Sequence, residues 1–404
     1  MQDPSSTLGD VIRRFGAALR EQRGVAMTAA QDAVLSTLAR CRTPALGGHV
    51  YRCDHQDCGA EHIAYNSCCS RHCPTCLGHK SAAWLQARAK DLLPVAYFHV
   101  VFTLPEQVAA VAFCNKKVVY GILLRAAAQT LLEVARDPKH LGAAIGFLAI
   151  LHTWTQTLLH HPHIHCVVPG GGLSPDGTRW IACRDNFFLP VKVLSRVFRG
   201  KFLAFLNDAA QRGQLRLSGS TASLADPEAW AELLTQMRSK EWVVYAKPPF
   251  GSAEQTLKYL ARYTHRVAIS NRRIASVTDQ YVSFRYRDRS RDNATRTMTL
   301  TGIEFLRRFL LHVLPKGFVR IRHFGLLANR VRKAKLARCR ELLGTQTAER
   351  PSTVEPNQHS ETTEDVAARR CPSCGVGQLH WVRELSPTLG RPRTRGPPSP
   401  PNTS

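Results

Sequence analysis

The chain has 404 residues, 44% of them hydrophobic, and carries 55 Lys+Arg against 30 Asp+Glu, a formal charge of +25. That apolar content excludes wholesale disorder, and the length allows about two or three domains with real cores. No unbroken apolar run reaches the ~18–20 residues of a membrane span, the N-terminus lacks a signal-peptide layout, and a pI near 10.0 calls for a polyanion, nucleic acid first and an anionic membrane surface second.

Residues 10–45 carry apolar positions at helical spacing, closed by Pro44 and Gly47-Gly48. Residues 49–80 are rich in Cys and His, and 81–93 read as a short helix leaving that module. Ala96–Pro105 is aromatic and β-branched, hence a strand, and 106–136 is helical. Residues 145–154 and 162–172 read as two strands so close in sequence that antiparallel pairing follows. Helices are expected at 191–217, 228–240 and 253–266, a strand at 241–250, and a β-hairpin from Ile274 to Ser290. Residues 303–343 read as two basic helices around a loop at Leu314–Gly317. Phe305–Arg340 holds eleven Lys/Arg and no acid, which suits phosphate contacts or, in the plainer reading, a solvated face. Beyond Thr345 the composition turns to Pro, Ser, Thr and charge, the pattern of a disordered tail.

Six of the thirteen cysteines (Cys53, Cys58, Cys68, Cys69, Cys73 and Cys76) fall in one short stretch. Zn²⁺ takes four ligands in a tetrahedron, and paired knuckles supply two each. Cys53-x4-Cys58 and Cys73-Pro-x-Cys76 fit that scheme, with Cys68, Cys69, His49, His55, His62 and His72 as alternative ligands or parts of a second site. So polar a segment has little to bury, so its metal is structural. Buried free thiols or disulfides are the alternative. Cys371-Pro-Ser-Cys374 lacks a matching pair downstream and reads as a half-site or as unstructured tail.

On a strand, His163 and His165 share one face while Ile164 and Cys166 point to the other. Two such imidazoles can chelate one divalent ion, and that ion can polarise a phosphate oxygen. His152, Gln156 and His161 are candidates for a third ligand. Tyr259 and Tyr263 lie four apart, on one helical face, flanked by Lys258, Arg262, His265 and Arg266 and followed by Arg272 and Arg273. A phenol is a poor nucleophile unless positive charge lowers its pKa. Two packed tyrosines on an amphipathic helix are the bland alternative. Beside the histidine strand, the pair suggests tyrosine attack on a phosphodiester. The aromatic-basic run Tyr281–Arg287 suits stacking on single-stranded DNA or, equally, cross-strand packing in a hairpin.

Four motifs in order carry a resemblance. They are Asn66-Ser-Cys68 with Arg71-His72-Cys73-Pro74-x-Cys76; His161-Pro-His163-Ile-His165-Cys-Val-Val-Pro-Gly-Gly-Gly172; Tyr259-Leu-Ala-Arg-Tyr263-Thr-His-Arg-Val-Ala-Ile-Ser-Asn271; and Leu314-Pro-Lys-Gly-Phe-Val-Arg-Ile-Arg322 with Leu327-Ala-Asn-Arg330. Over roughly residues 10–340 the chain resembles the HUH-type, rolling-circle, two-tyrosine transposases of the insertion sequence ninety-one family. The resemblance implies an α+β fold: an antiparallel, ferredoxin-like HUH endonuclease core with helices, behind a small zinc-binding domain. It implies Mg²⁺ or Mn²⁺ at His163 and His165. It implies that one tyrosine cuts single-stranded or hairpin DNA at an element end, leaving a 5′-phosphotyrosine and a free 3′-OH, while the other serves strand transfer.

The expected divisions are an N-terminal helical segment (1–48), a zinc-binding domain (49–93), the catalytic domain (94–302), a basic helical segment (303–344) and the Pro-rich tail (345–404). Expected DNA contacts are Arg262, Arg266, Arg272, Arg273, Arg320, Arg322, Arg330, Arg332 and Lys333. Such a protein belongs in the bacterial cytoplasm, at the nucleoid. A replication initiator or relaxase would share this chemistry, and a zinc-dependent regulator without catalysis would share the zinc and the charge. The doubled Cys69 and the tail cysteines Cys371 and Cys374 depart from the family pattern.

Overall fold

A computed structural model of the chain describes residues 6–22, 27–250, 255–256, 267–288, 291–344 and 370–388. The chain opens with two helices, α1 (Leu8–Glu21) and α2 (Ala29–Ala39), each started by a capping box, Thr7 with Asp10 and Thr28 with Gln31. Strands β1 (Gly48–Cys53) and β2 (Glu61–Tyr65) form an antiparallel pair. Helix α3 (Pro74–Ala89) follows, with Pro74 at its first position, where the missing N–H costs nothing. The predicted helix at 81–93 is therefore the second half of a longer one.

The main body is built from β3 (Tyr97–Thr103), α4 (Glu106–Cys114), α5 (Lys116–Arg136), β4 (Gly146–Trp154) and β5 (His160–Pro169). A small ribbon, β6 (Gly171–Leu173) with β7 (Trp180–Ala182), precedes α6 (Val191–Gln211) and α7 (Pro227–Ser239), and β8 (Val244–Phe250) follows. Then come β9 (Ile274–Val277), β10 (Tyr281–Asp288) and β11 (Ala294–Thr301), so the predicted hairpin is a three-stranded meander in the order β11-β10-β9. After the helix Gly302–Leu310 comes β12 (Ile321–Gly325), then the helix Arg332–Leu342, and β13 (Leu379–Leu385) ends the described chain.

The central sheet is wholly antiparallel, in the order β12-β4-β5-β3-β8. Alternation gives it two unlike faces. Phe98, Val100, Phe102, Phe147, Ala149, Leu151, Ile164, Cys166 and Val168 join one buried core with α4, α5, α6 and α7. By length and composition α5 could cross a membrane, a feature that counting unbroken apolar runs passes over, but 67% of its most apolar window is buried in this core. The opposite face carries the histidines. The α+β, antiparallel architecture behind a cysteine-rich module is the one expected.

Two expectations are corrected. Segment 303–344 holds two helices, Gly302–Leu310 and Arg332–Leu342, but the second starts later than expected, because Ile321–Gly325 before it adds to the edge of the central sheet beside β4. The alternation in Phe318-Val-Arg-Ile-Arg-His-Phe324 is a strand pattern that the charge obscures. The tail is not wholly unstructured: β13 pairs along the whole of β1 in the order β13-β1-β2.

A second core joins the N-terminal helices to the C-terminal half. Leu8, Val11, Ile12 and Phe15 of α1 pack with Phe305, Leu306 and Phe309. A Cβ on Gly302 would stand 2.3 Å from the Phe15 ring, so only glycine permits that approach. Of the predicted helix at 253–266, all but Gln255 and Thr256 lies outside the described residues, and with it Tyr259, Arg262, Tyr263 and Arg266.

Candidate functional site

His152 on β4 pairs directly with His163 on β5, and His165 follows two residues on, so all three stand on one face of the sheet. One ring nitrogen from each lies within 4.8 Å of the others. His152 and His165 are buried, and His152 stacks on Trp154 with ring centroids 4.3 Å apart. Of the three candidates for a third ligand, the structure brings His152 to the pair. Gln156 is exposed in the β4–β5 turn, where its carbonyl accepts from Arg273. His161 supplies a backbone carbonyl, 2.6 Å from His163 Nδ1. That contact makes Nδ1 the protonated nitrogen of His163 and leaves Nε2 as the ligand atom.

A fourth histidine escapes the sequence reading. His99 on β3 is buried, and its Nε2 lies 2.8 Å from His165 Nδ1. Burial, with Lys247 and His163 nearby, lowers its pKa to about 3, so it is neutral and can accept the His165 proton. Alternation puts His99 on the face of Val101 and Thr103, but only the register shows that those two residues pair with His165 and His163. Below this layer, His160 meets the Tyr120 hydroxyl at 2.7 Å, and His312 bridges Thr153 Oγ1 and the Leu158 carbonyl. Burial holds both near a pKa of about 3, hence neutral.

The cysteines group otherwise than their spacing suggests. Cys53, Cys58, Cys73 and Cys76 do not form one site. Cys73 and Cys76 join Cys41 and Cys68, and Cys53 and Cys58 join Cys371 and Cys374, each set with its sulfurs within 4.8 Å of one another. In the first tetrad Cys76 Sγ lies 3.4 Å from Cys41 and 3.6 Å from Cys68, and Cys73 lies 3.5 Å from Cys41. A Zn²⁺ at about 2.3 Å from four sulfurs spaces them about 3.8 Å apart. The four thiols share hydrogen bonds that push Cys73 and Cys76 down and Cys41 and Cys68 up. Cys41 lies just past α2, so a boundary drawn at residue 48 cuts through this tetrad. His72 belongs to neither set: it is buried, and its Nε2 accepts from the Leu314 N–H at 3.3 Å, tying the module to the main body. Cys69 stands apart too, 3.4 Å from Ser67 Oγ. The four-thiol sets and the matching zinc-binding family reported below agree on structural Zn²⁺.

The cations divide. Arg320 is only 6% exposed and cannot form an open phosphate contact. Arg273 stacks over Phe284 and donates to the carbonyls of Arg285 and Gln156, so the fold already uses its guanidinium. Arg332 faces Asp91 at 3.7 Å, and Arg322 donates to the Val319 carbonyl. Arg272, Arg330 and Lys333 are exposed.

Residues 11–104 match the family described as "Transposase zinc-binding domain", and residues 146–335 match the one described as "Putative transposase". The "Putative transposase y4qJ" of Sinorhizobium fredii is 50% identical over 389 residues, 96% of this chain and 97% of the relative. The "Transposase for insertion sequence element IS801" of Pseudomonas savastanoi pv. phaseolicola is 28% identical over 349 residues, 86% of this chain and 82% of the relative. Among solved structures, TrwC bound to a 27-mer DNA is similar at 14% identity over 41% of this chain and 71% of its own, with a TM-score of 0.21, a likeness too remote to carry an argument. The first matched region holds the N-terminal cysteines, the second holds the histidine face, and the relatives run nearly end to end: the chain belongs to the transposases of the insertion sequence ninety-one family.

Proposed function

We propose that this transposase cuts and rejoins single strands of DNA through a covalent tyrosine intermediate, at a divalent-metal site formed by His152, His163 and His165. The observation that carries the reading is the convergence of those three imidazoles on one face of the sheet. Three nitrogen donors with further positions open are the pattern of a reactive site. The donor set suits a first-row ion such as Mn²⁺ better than Mg²⁺, which prefers oxygen. An ion bound there supplies Lewis acidity to a phosphate oxygen.

The chain's residues do the rest. His99 and the His161 carbonyl hold His165 and His163 in one tautomer and orientation. Either Tyr259 or Tyr263 attacks phosphorus. The phenol loses its proton, a P–O bond to tyrosine forms, the P–O bond to the 3′-oxygen breaks, and that oxygen leaves as a hydroxyl after taking a proton. The second tyrosine repeats the step on the target strand, and the free 3′-hydroxyl reverses the attack to rejoin the DNA. Each exchange replaces one phosphodiester with another, so no nucleotide cofactor is required. Arg272, Arg330 and Lys333 offer exposed charge for the strand's phosphates. Cys41, Cys68, Cys73 and Cys76 hold structural Zn²⁺. We place the activity in the bacterial cytoplasm, at the nucleoid, where such thiols stay reduced.

The test is a denaturing gel of purified protein, Mn²⁺ and single-stranded oligonucleotides from the ends of its own element. A metal-dependent covalent adduct is expected, lost when Tyr259→Phe and Tyr263→Phe are combined and when His163→Ala removes a ligand. An adduct undiminished in the double Phe variant overturns the mechanism.

A further inference from the structure

We infer that residues 370–388 are the missing half of the N-terminal module, and that Cys53, Cys58, Cys371 and Cys374 hold a second structural Zn²⁺ that fastens the two together. The site brings two knuckles into one tetrad, Cys53-x4-Cys58 from the module and Cys371-x2-Cys374 from the tail. The contacts run crosswise. Cys53 Sγ lies 3.7 Å from Cys374 Sγ across 321 residues, and Cys58 Sγ lies 3.7 Å from Cys371 Sγ across 313. A disulfide would need about 2.05 Å. Sulfurs around one tetrahedral Zn²⁺ need about 3.8 Å. Four sulfurs with no oxygen or nitrogen donor make a soft, closed set, which selects zinc and leaves no position for substrate.

The surrounding backbone is built for the docking. β13 pairs with β1 from Gly48↔Leu385 to Cys53↔Leu379. Asp54 N donates to the Gln378 carbonyl at 3.0 Å, and Gln378 N donates back to Asp54 Oδ1 at 2.7 Å. A Cβ on Gly377 would lie 2.4 Å from Cys53 Sγ and 2.8 Å from His55 Cβ, so glycine is required where the tail turns over the first knuckle. His62 Nε2 meets Ser373 Oγ at 3.2 Å, an outer contact across the same joint.

Burial alone cannot hold this unit. Its core is Tyr51, Cys53, Ala64, Cys371 and Leu379, and two of those five are the proposed ligands. So little apolar surface does not stabilise a three-stranded sheet in water, which leaves metal ligation as the source of its cohesion. The matched family regions end at residues 104 and 335, so the tail half of the site lies outside both.

The experiment uses the full-length protein, purified without chelator, with zinc counted per chain and thiol alkylation mapped by mass spectrometry. Two zinc ions per chain are expected, with the sulfurs of both tetrads protected. Stepwise chelation of the wild type should expose Cys53, Cys58, Cys371 and Cys374 as one group. The double variant Cys371→Ser, Cys374→Ser should hold one zinc and alkylate at Cys53 and Cys58, while Cys41, Cys68, Cys73 and Cys76 stay protected. Alkylation of Cys371 and Cys374 in zinc-loaded wild type while Cys53 and Cys58 remain protected overturns the inference. So does a wild-type content of one zinc. The chelation map needs no variant, so misfolding of the serine protein leaves the question decidable.

Discussion

The cysteine tetrad at 41, 68, 73 and 76 and the histidine triad at 152, 163 and 165 are both metal-shaped, yet their settings are opposite. The tetrad offers four donors, enough to close a tetrahedron, and three of its cysteines are packed in the core that joins α1 to the helix Gly302–Leu310. The triad offers three, on a sheet face turned away from the main core, with their orientation fixed by His99 and by a carbonyl. Donor number separates an ion that holds the fold from one that does chemistry, since burial does not: His152 and His165 are as buried as Cys41, Cys73 and Cys76. The tetrad is embedded in cohesion, whereas the triad is supported by a rigid sheet that needs no ion to form.

The strongest way to break that contrast is Cys73→Ser. If the tetrad holds the fold, the variant should lose its zinc and with it several kcal/mol of stability, since structural zinc binding is folding free energy of roughly 10–16 kcal/mol in small domains. Thermal melting and zinc content check this, with His163→Ala as the counterpart. That change should abolish the DNA adduct and leave zinc content untouched. A Cys73→Ser protein that melts with the wild type would erase the distinction.

The next effect is smaller and concerns the triad alone. His99→Phe keeps a ring but removes the acceptor beside His165 Nδ1. Loss of such an outer partner typically weakens metal affinity ~10–100-fold. Mn²⁺ titration of wild type and variant measures it, and His99→Gln, whose amide oxygen can accept, should recover part of the loss. Equal affinities in all three proteins would make His99 a packing residue.

The two regions also differed in how far the sequence revealed them. The histidine pair was legible because alternation is a local rule that puts His163 and His165 on one face; the third place stayed open among His152, Gln156 and His161, and only the register of the two strands brings His152 to His163. The cysteines were legible as metal ligands but not as sets. Knuckle spacing shows which two cysteines act together and says nothing about which second pair completes the tetrad. Here the partners of Cys53 and Cys58 lie more than 300 residues away. The tail was misread because bulk composition outweighed one short strand, and Ile321–Gly325 was misread because eleven cations drew attention from an alternating pattern. His99 sat in a correctly assigned strand, and only register shows that it faces His165.

Between the two regions stands Asn271, the last residue of the tyrosine motif, and its loss should produce the smallest effect. Its Oδ1 accepts from the Leu8 N–H at 3.1 Å, at the first turn of α1, and its Nδ2 donates to Thr75 Oγ1 at 2.9 Å, at the first turn of α3. One amide thus ties the start of the chain, the helix that carries Cys76, and the segment that follows the tyrosines. Thr75→Val removes only the partner of Nδ2 and keeps the acceptor for Leu8, whereas Asn271→Ala loses both bonds. Each bond contributes about 1 kcal/mol net, so Asn271→Ala should cost about 2 kcal/mol and Thr75→Val about half of that. Zinc content should be unchanged in both, because neither touches a sulfur. The informative readout is hydrogen exchange. If Asn271 couples the regions, Asn271→Ala should raise amide exchange both at the start of α1 and at the start of α3, while Thr75→Val should raise it only at α3. A rise confined to the immediate neighbours of residue 271 would show that the tetrad and the triad are joined by the packed core around Phe15 and Phe305 alone.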